Sequence, residues 1–207
     1  MKQRKIKGIV ILIGFVLLAV TFRWTFVTAI VQGESMTPTL QHLDTGLTDR
    51  VWYKVFGLRR FSLVVFTHPS LEDEDVEETW IKRIIGLPGE TVYYHNATLY
   101  INGLVVEEPF LSASTKQATC NLGWIQENEG GHVGIPPVCM APVTLGEHEY
   151  FVMGDHRENS YDSRYLSAPI LESQIYARGL IQYGRCEDTP NDFCSEFQWT
   201  FPRFIGW

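Results

Sequence analysis

From Gly8 to Phe22 the chain runs fifteen residues without a charge, behind a basic start at Lys2, Arg4, Lys5 and Lys7. At about 1.5 Å per residue this run covers only about 22 Å of a hydrocarbon layer roughly 30 Å thick. A spanning helix must therefore continue past Arg23, whose long stem lets the guanidinium reach the interface, where Trp24 is also at home. The pattern predicts a cytoplasmic basic terminus at 1–7 and a transmembrane helix at 8–26. The remainder is exported, because cations ahead of an apolar run stay on the cytoplasmic side. A removable signal sequence has the same basic start and apolar run, and Val27-Thr28-Ala29 offers a small residue before a cut. Arg23 and Trp24 fit such a cleavage region badly, so the anchor is preferred.

Beyond the apolar segment the period shortens. Leu47 to Phe66 alternates apolar stretches with Gly57 and Arg59-Arg60, which reads as strands, and Leu63-Val64-Val65-Phe66 is long enough only for a buried one. The acidic run Glu72 to Glu78 reads as a solvated loop, since like charges repel. Trp80 to Ile85 is a strand ended by the turn Gly86-Leu87-Pro88-Gly89. Val92-Tyr93-Tyr94 and Leu99-Tyr100-Ile101 are strands joined at His95-Asn96, and Asn102-Gly103 between apolar runs is a hairpin signal. Asn96-Ala97-Thr98 matches a glycosylation sequon but is read as turn chemistry. Glu149 to Met153 and Ala177 to Tyr183 complete the strands. Ser112 to Pro142, with Gly130-Gly131 and Pro136-Pro137, lacks a period and reads as an insertion. Many short strands and one membrane helix predict a mainly antiparallel β protein.

Composition narrows the function classes. With 45% hydrophobic and 20% charged residues the chain is an ordered protein. The net charge is -7, and removing the four cations of the first seven residues from 17 Lys and Arg leaves 13 against 24 Asp and Glu. That acidic bulk argues against a nucleic-acid partner. The four cysteines, Cys120, Cys139, Cys186 and Cys194, all follow the apolar segment, where an exported domain can form disulfides. Pairing Cys120 with Cys139 and Cys186 with Cys194 is one of three connectivities. No C-x-x-C pair or close His pair is present, so a zinc site is not expected.

The chemistry is concentrated in Gly33-Glu34-Ser35-Met36-Thr37-Pro38-Thr39-Leu40. A serine hydroxyl is a weak nucleophile without a nearby base, and Ser35 alone passes as a loop residue. Two later segments change that reading: Trp80-Ile81-Lys82-Arg83-Ile84-Ile85-Gly86-Leu87-Pro88-Gly89-Glu90 and Gly154-Asp155-His156-Arg157-Glu158-Asn159-Ser160-Tyr161-Asp162-Ser163-Arg164. On its own, Lys82 is an ordinary strand lysine and Asp155 to Arg164 a charged turn. In this order, over Arg23 to Arg164, the three stretches resemble the serine, lysine and C-terminal motifs of bacterial type I signal peptidases. Phe61-Ser62 stands where that family usually has a Gly-Asp pair.

The resemblance implies an antiparallel β-sheet catalytic core in two parts, 27–90 and 149–207 with the tail, and an inserted smaller β region at 91–148. It implies Ser35 as nucleophile and Lys82 as its general base, with no metal or cofactor. Ser160 would orient Lys82, Arg83 would pair with Asp155, and Asp162 and Arg164 would hold the site together. Gly33 stands where some members carry a second oxyanion donor, so the backbone N–H of Ser35 is the first candidate for that role. Val31, Leu40 and Ile81 match shallow apolar pocket positions for small residues before the cut. The expected partners are signal-peptide-bearing preproteins and membrane lipid, with catalysis on the outer face of the cytoplasmic membrane; the sequence leaves oligomeric state open. A specialised or organellar processing peptidase is an alternative, as is an anchored β domain that only binds partners.

Overall fold

The computed structural model describes residues 2–70, 73, 75–120, 138–166, 168–186 and 197–206, with side chains left aside at 2–5, 138 and 139. Helix α1 spans Lys2–Thr25. Within it Ile6–Thr25, 20 residues of mean hydropathy 2.2 and exposed from Ile6 to Trp24, is long and apolar enough to cross a membrane. Its two hydroxyls near the end are satisfied within the helix, Thr21 Oγ1 donating to the Leu17 carbonyl and Thr25 Oγ1 to that of Thr21, each at 2.8 Å. That removes the cost of bare hydroxyls in an apolar layer.

The chain passes directly from α1 into β1 (Phe26–Ile30), which pairs antiparallel with β2 (Asp44–Asp49) and sets Phe26 opposite Asp49. The strands expected throughout Leu47 to Phe66 give way in the middle to a short helix α2 (Trp52–Phe56). The cause is local. The buried Asp49 carboxylate accepts the backbone N–H groups of Val51, Trp52 and Tyr53 at 2.9, 2.8 and 3.1 Å, which favours helical backbone whatever the side-chain alternation.

Next come β3 (Leu63–Pro69), β4 (Glu77–Gly86), β5 (Thr91–His95), β6 (Thr98–Ile101) and β7 (Leu104–Val106). After them lie α3 (Ala113–Ala118), β8 (Val138–Thr144), β9 (Glu149–Met153), β10 (Ile170–Leu171), β11 (Ile175–Cys186) and β12 (Phe197–Ile205). The acidic run thus ends in strand: Glu77 and Glu78 stay exposed but pair with Pro69 and His68. Both hairpin turns use positive φ at their two central residues, Asn96 and Ala97 at 48° and 58°, Asn102 and Gly103 at 51° and 82°, as tight hairpins require.

One sheet of eight strands runs β1-β2-β11-β3-β4-β9-β10 with β12 paired to β11, and a four-stranded sheet runs β7-β6-β5-β8. Every strand pair is antiparallel, in keeping with the mainly β expectation. One apolar cluster joins the sheets through Ile85, Val92, Tyr94, Phe151 and Met153, and another, including Val31, Met36, Leu40 and Leu180, packs beneath the turn that follows β1. Cys120 and Cys186 are both disulfide-bonded. The pairing expected for them involves Cys139 and Cys194, whose side chains lie outside the described residues, as do residues 121–137 of the insertion.

Candidate active site

Ser35 sits in the turn after β1, fixed by hydrogen bonds from Thr37 N–H to the Glu34 carbonyl and from Leu40 N–H to that of Met36, both 3.0 Å. Met36 and Leu40 are sunk in the core, so the turn is held from below. From β4, Lys82 Nζ donates to Ser35 Oγ at 2.7 Å. Alternation along β4 puts Lys82 on the side of Trp80, whose ring centroid lies 5.6 Å from the amine. Lys82 as a whole is 6% exposed. Burial lowers its pKa to about 8, against the opposing pull of Asp162 and with a smaller contribution from Arg164. A side chain that ordinarily stays charged is thus made easier to deprotonate beside a hydroxyl. Among the described residues no histidine is hydrogen-bonded to Ser35 Oγ; His42 Nδ1 accepts from Gly33 N–H at 3.0 Å instead.

Arg83, the next residue of β4, takes the opposite face and grips Asp155 with two donors, Nε to Oδ1 at 2.8 Å and Nη2 to Oδ2. Its remaining nitrogen donates to the Phe61 carbonyl at 2.7 Å, while Thr39 Oγ1 donates to Asp155, tying the serine turn to the same carboxylate. Asp162 is the hub of the loop after β9. It accepts from Gly154 N–H at 2.9 Å, from Ser160 Oγ at 2.7 Å and from Arg164 Nε at 2.8 Å and Nη2 at 2.9 Å. Burial alone would raise its pKa; the Arg164 guanidinium and these hydrogen bonds bring it below the usual carboxylate range. Ser160, expected to orient Lys82, gives its proton to Asp162, and any contact with the amine would use the oxygen lone pairs.

The Ser35 N–H makes no hydrogen bond among the described residues, so it can receive an oxyanion. Gly33 has φ of 79° and its N–H is spent on His42, which leaves it a turn residue. A cavity of about 470 Å³ opens beside Ser35 and Lys82, walled by Ala29, Val31, Ile81, Trp80 and Tyr161. Val31 and Ile81 line it, and Leu40 lies in the core below. Among the described residues β1 is the sheet edge, and residues 77–82 of β4 pair only with β3. Two strand edges therefore flank the cavity with backbone groups free to hold an extended peptide.

Sequence reasoning passed over Gly154, Thr39 and Arg157. At Gly154 an added Cβ would overlap Ser160 Oγ and the Ser35 carbonyl oxygen. Arg157, wholly buried, reaches Glu108, Tyr94 and Thr119 in the second sheet region and, through Nε, the Gly154 carbonyl at 3.1 Å. Only the Gly before Asp155 carried a local signal; the partners of Arg157 are scattered along the chain.

The sequence profile of the family described as signal peptidase, peptidase S26, matches residues 3–183. Signal peptidase I of Bacillus amyloliquefaciens is 38% identical over 154 residues, 74% of each chain. Signal peptidase IB of Staphylococcus aureus strain Mu50 is 31% identical over 199 residues, covering 95% of this chain and 98% of the relative. A crystal structure of a signal peptidase I from Enterococcus faecalis V583 aligns with TM-score 0.39 and 32% identity over 57% of this chain and 93% of that one. With matches of this extent, the chain belongs to the S26 family of signal peptidases and is a serine protease of the type I signal peptidase class.

Proposed function

We propose that the protein removes N-terminal signal peptides from exported preproteins by a Ser35–Lys82 acyl-enzyme mechanism, anchored by α1 with its catalytic face outside the cytoplasmic membrane. The observation that carries this reading is the 2.7 Å contact between Ser35 Oγ and a buried lysine amine whose pKa is lowered to about 8. The preprotein segment lies extended between the edges of β1 and β4. Neutral Lys82 takes the Ser35 proton as Oγ attacks the scissile carbonyl, and the Ser35 N–H faces the developing oxyanion. Collapse breaks the C–N bond. The proton on Lys82 goes to the leaving amine, which becomes the N-terminus of the mature protein. Lys82, neutral again, takes a proton from water as the water oxygen attacks the ester; collapse breaks the C–Oγ bond, Lys82 returns that proton to Ser35 Oγ, and the signal peptide leaves as a carboxylic acid. Arg83, Asp155, Asp162, Arg164 and Ser160 hold the geometry. The Val31 and Ile81 walls favour small side chains before the cut, a preference worth about 1 to 3 kcal/mol per methylene.

The test is cleavage of a purified precursor by the full chain in detergent, with the new N-terminus read by mass spectrometry and Ser35→Ala as the blank. A single cut after a small residue is expected, unaffected by chelators. No cut, or one that survives in Ser35→Ala, would overturn the reading.

Gly154→Ala makes a second test. The added methyl must push Ser160 or the Ser35 backbone aside, and displacements near 1 Å lower rates by about 10²-fold. Cleavage at saturating precursor should fall by that order while far-ultraviolet circular dichroism is unchanged. Parental activity would show that this close approach has no part in positioning Ser35.

A further inference from the structure

We infer that the cavity between the end of α1 and α2 binds the phosphate of an anionic lipid headgroup, an inference that rests on α1 being a membrane anchor. The Arg50 N–H donates to the Thr25 carbonyl at 2.8 Å, so the antiparallel β1–β2 pair returns the chain to the point where α1 ends. α2 begins there. Its inward residue is Tyr53, buried and donating to the Ile175 carbonyl at 2.7 Å. Outward it shows Trp52, Val55 and Phe56, 47%, 66% and 64% exposed. An ordinary surface helix turns polar residues outward; an apolar outer face beside a membrane helix suits the boundary between headgroups and acyl chains.

The cavity, about 700 Å³, is lined by Arg23, Arg50 and Lys54 together with Trp24, Val55 and Tyr176. Seven other cations of this acidic chain are in ion pairs with carboxylates. Among the described residues these three have no such partner, nor do Lys7, Arg59, Lys82 and Arg203; what sets the three apart is that they converge on one space. The neighbouring carboxylate, Asp49, is occupied by the α2 backbone and by Arg178 at 3.1 Å. Cations flanking a membrane helix on its exported side run against the usual loop bias, and a phosphate supplies the missing anion, with two guanidinium forks shaped for its oxygens. A lipid is favoured over free phosphate because Val55 and Phe56 stand where acyl chains begin.

The experiment uses the full chain carrying a fluorophore at Phe56→Cys. It is reconstituted into phosphatidylcholine vesicles that contain equal fractions of nitroxide-labelled phosphatidylglycerol or nitroxide-labelled phosphatidylcholine. Quenching by the anionic probe should exceed that by the zwitterionic one by about two-fold or more, since each cation near such a surface adds appreciable attraction. Arg50→Gln combined with Lys54→Gln should bring the two to parity while precursor cleavage in detergent stays parental. Millimolar inorganic phosphate should leave the preference intact. Equal quenching in the parent would give the cavity to another occupant, such as a protein segment, and overturn the inference, as would a full preference in the double variant. Loss of the preference with inorganic phosphate would replace the lipid by a free anion. Alkaline carbonate extraction separates the two levels: a released chain sinks the anchor and the inference with it, whereas a retained chain without headgroup preference sinks the inference alone.

Discussion

Lys82→Arg is expected to lower precursor cleavage by about 10²- to 10⁴-fold, the usual contribution of a positioned general base. Charge and much of the length are retained, but a guanidinium does not release its proton in the working range. The parental rate should rise with pH along one ionisation near the Lys82 value of about 8 and then level off, because only the neutral amine can accept the serine proton. At pH 7 about a tenth of molecules would hold Lys82 neutral, against about one in two thousand for an unshifted lysine. The same shift makes a stability statement. Burial depresses the folded pKa below the unfolded value, so between about pH 8 and about pH 10.4 the unfolded chain binds more protons and stability rises with pH. Below that window the buried ammonium costs roughly 3 kcal/mol. Lys82→Met should therefore melt higher than the parent at pH 7 while being inactive, as expected of a strained functional group. Cleavage retained in Lys82→Arg, above a Ser35→Ala blank, would sink the assignment and turn attention to His42, His68 or His156.

Why Lys82 was legible and Arg157 was not comes down to the range of the forces involved. Short apolar runs bounded by turn residues are a local signal, and they located β3, β4, β5, β6, β9 and most of β11; β5 and β6 bury alternate residues, whereas β3, β4 and β9 bury successive ones. Apolar length placed a helix at 8–26; α1 begins at Lys2, so the helix also takes in the basic residues that precede the apolar run. α2 escaped because a single carboxylate, Asp49, sets its backbone, and nothing in the apolar pattern records a hydrogen bond to three successive amides. Ser35 and Lys82 were paired through three ordered motifs, not through any property of either residue. The burial of Lys82 and its 2.7 Å approach to Ser35 depend on segments far apart in sequence. Leu40 carried the expected apolar character but points into the core, a direction fixed by the turn that Met36 and Leu40 jointly anchor. Arg157 read as one charge in a charged turn because most of its partners, Tyr94, Glu108 and Thr119, lie far away in sequence.

Arg157→Met should accordingly be among the most destabilising single substitutions in the chain. The Arg157 and Glu108 side chains are 0% and 2% exposed and directly paired. Tyr94 OH donates to Glu108 at 2.9 Å, while Arg157 Nη1 donates to Tyr94 OH at 3.1 Å and to Thr119 Oγ1 at 2.9 Å. Every group in the cluster has its partner, and the cluster joins β5, the segment after β7 and the end of α3 to the loop that carries Gly154. Removing the guanidinium leaves the Glu108 carboxylate buried with a single phenol for company, a loss of about 3 to 5 kcal/mol. For a chain of this size each kcal/mol shifts the melting midpoint by about 2 to 4 °C, so a fall of roughly 6 to 20 °C is expected. Cleavage should weaken at temperatures where the variant is still folded, because the Gly154 carbonyl loses its donor and the loop that meets Ser35 through His156 N–H is freed. Adding Glu108→Leu to Arg157→Met should restore much of the stability, since no uncompensated charge remains, yet leave cleavage impaired. Thermal melts and cleavage rates on the two singles and the double close the cycle. An unchanged melting midpoint in Arg157→Met would mean that Glu108 finds another partner or a proton, and the cluster would lose its claim to hold the loop in place.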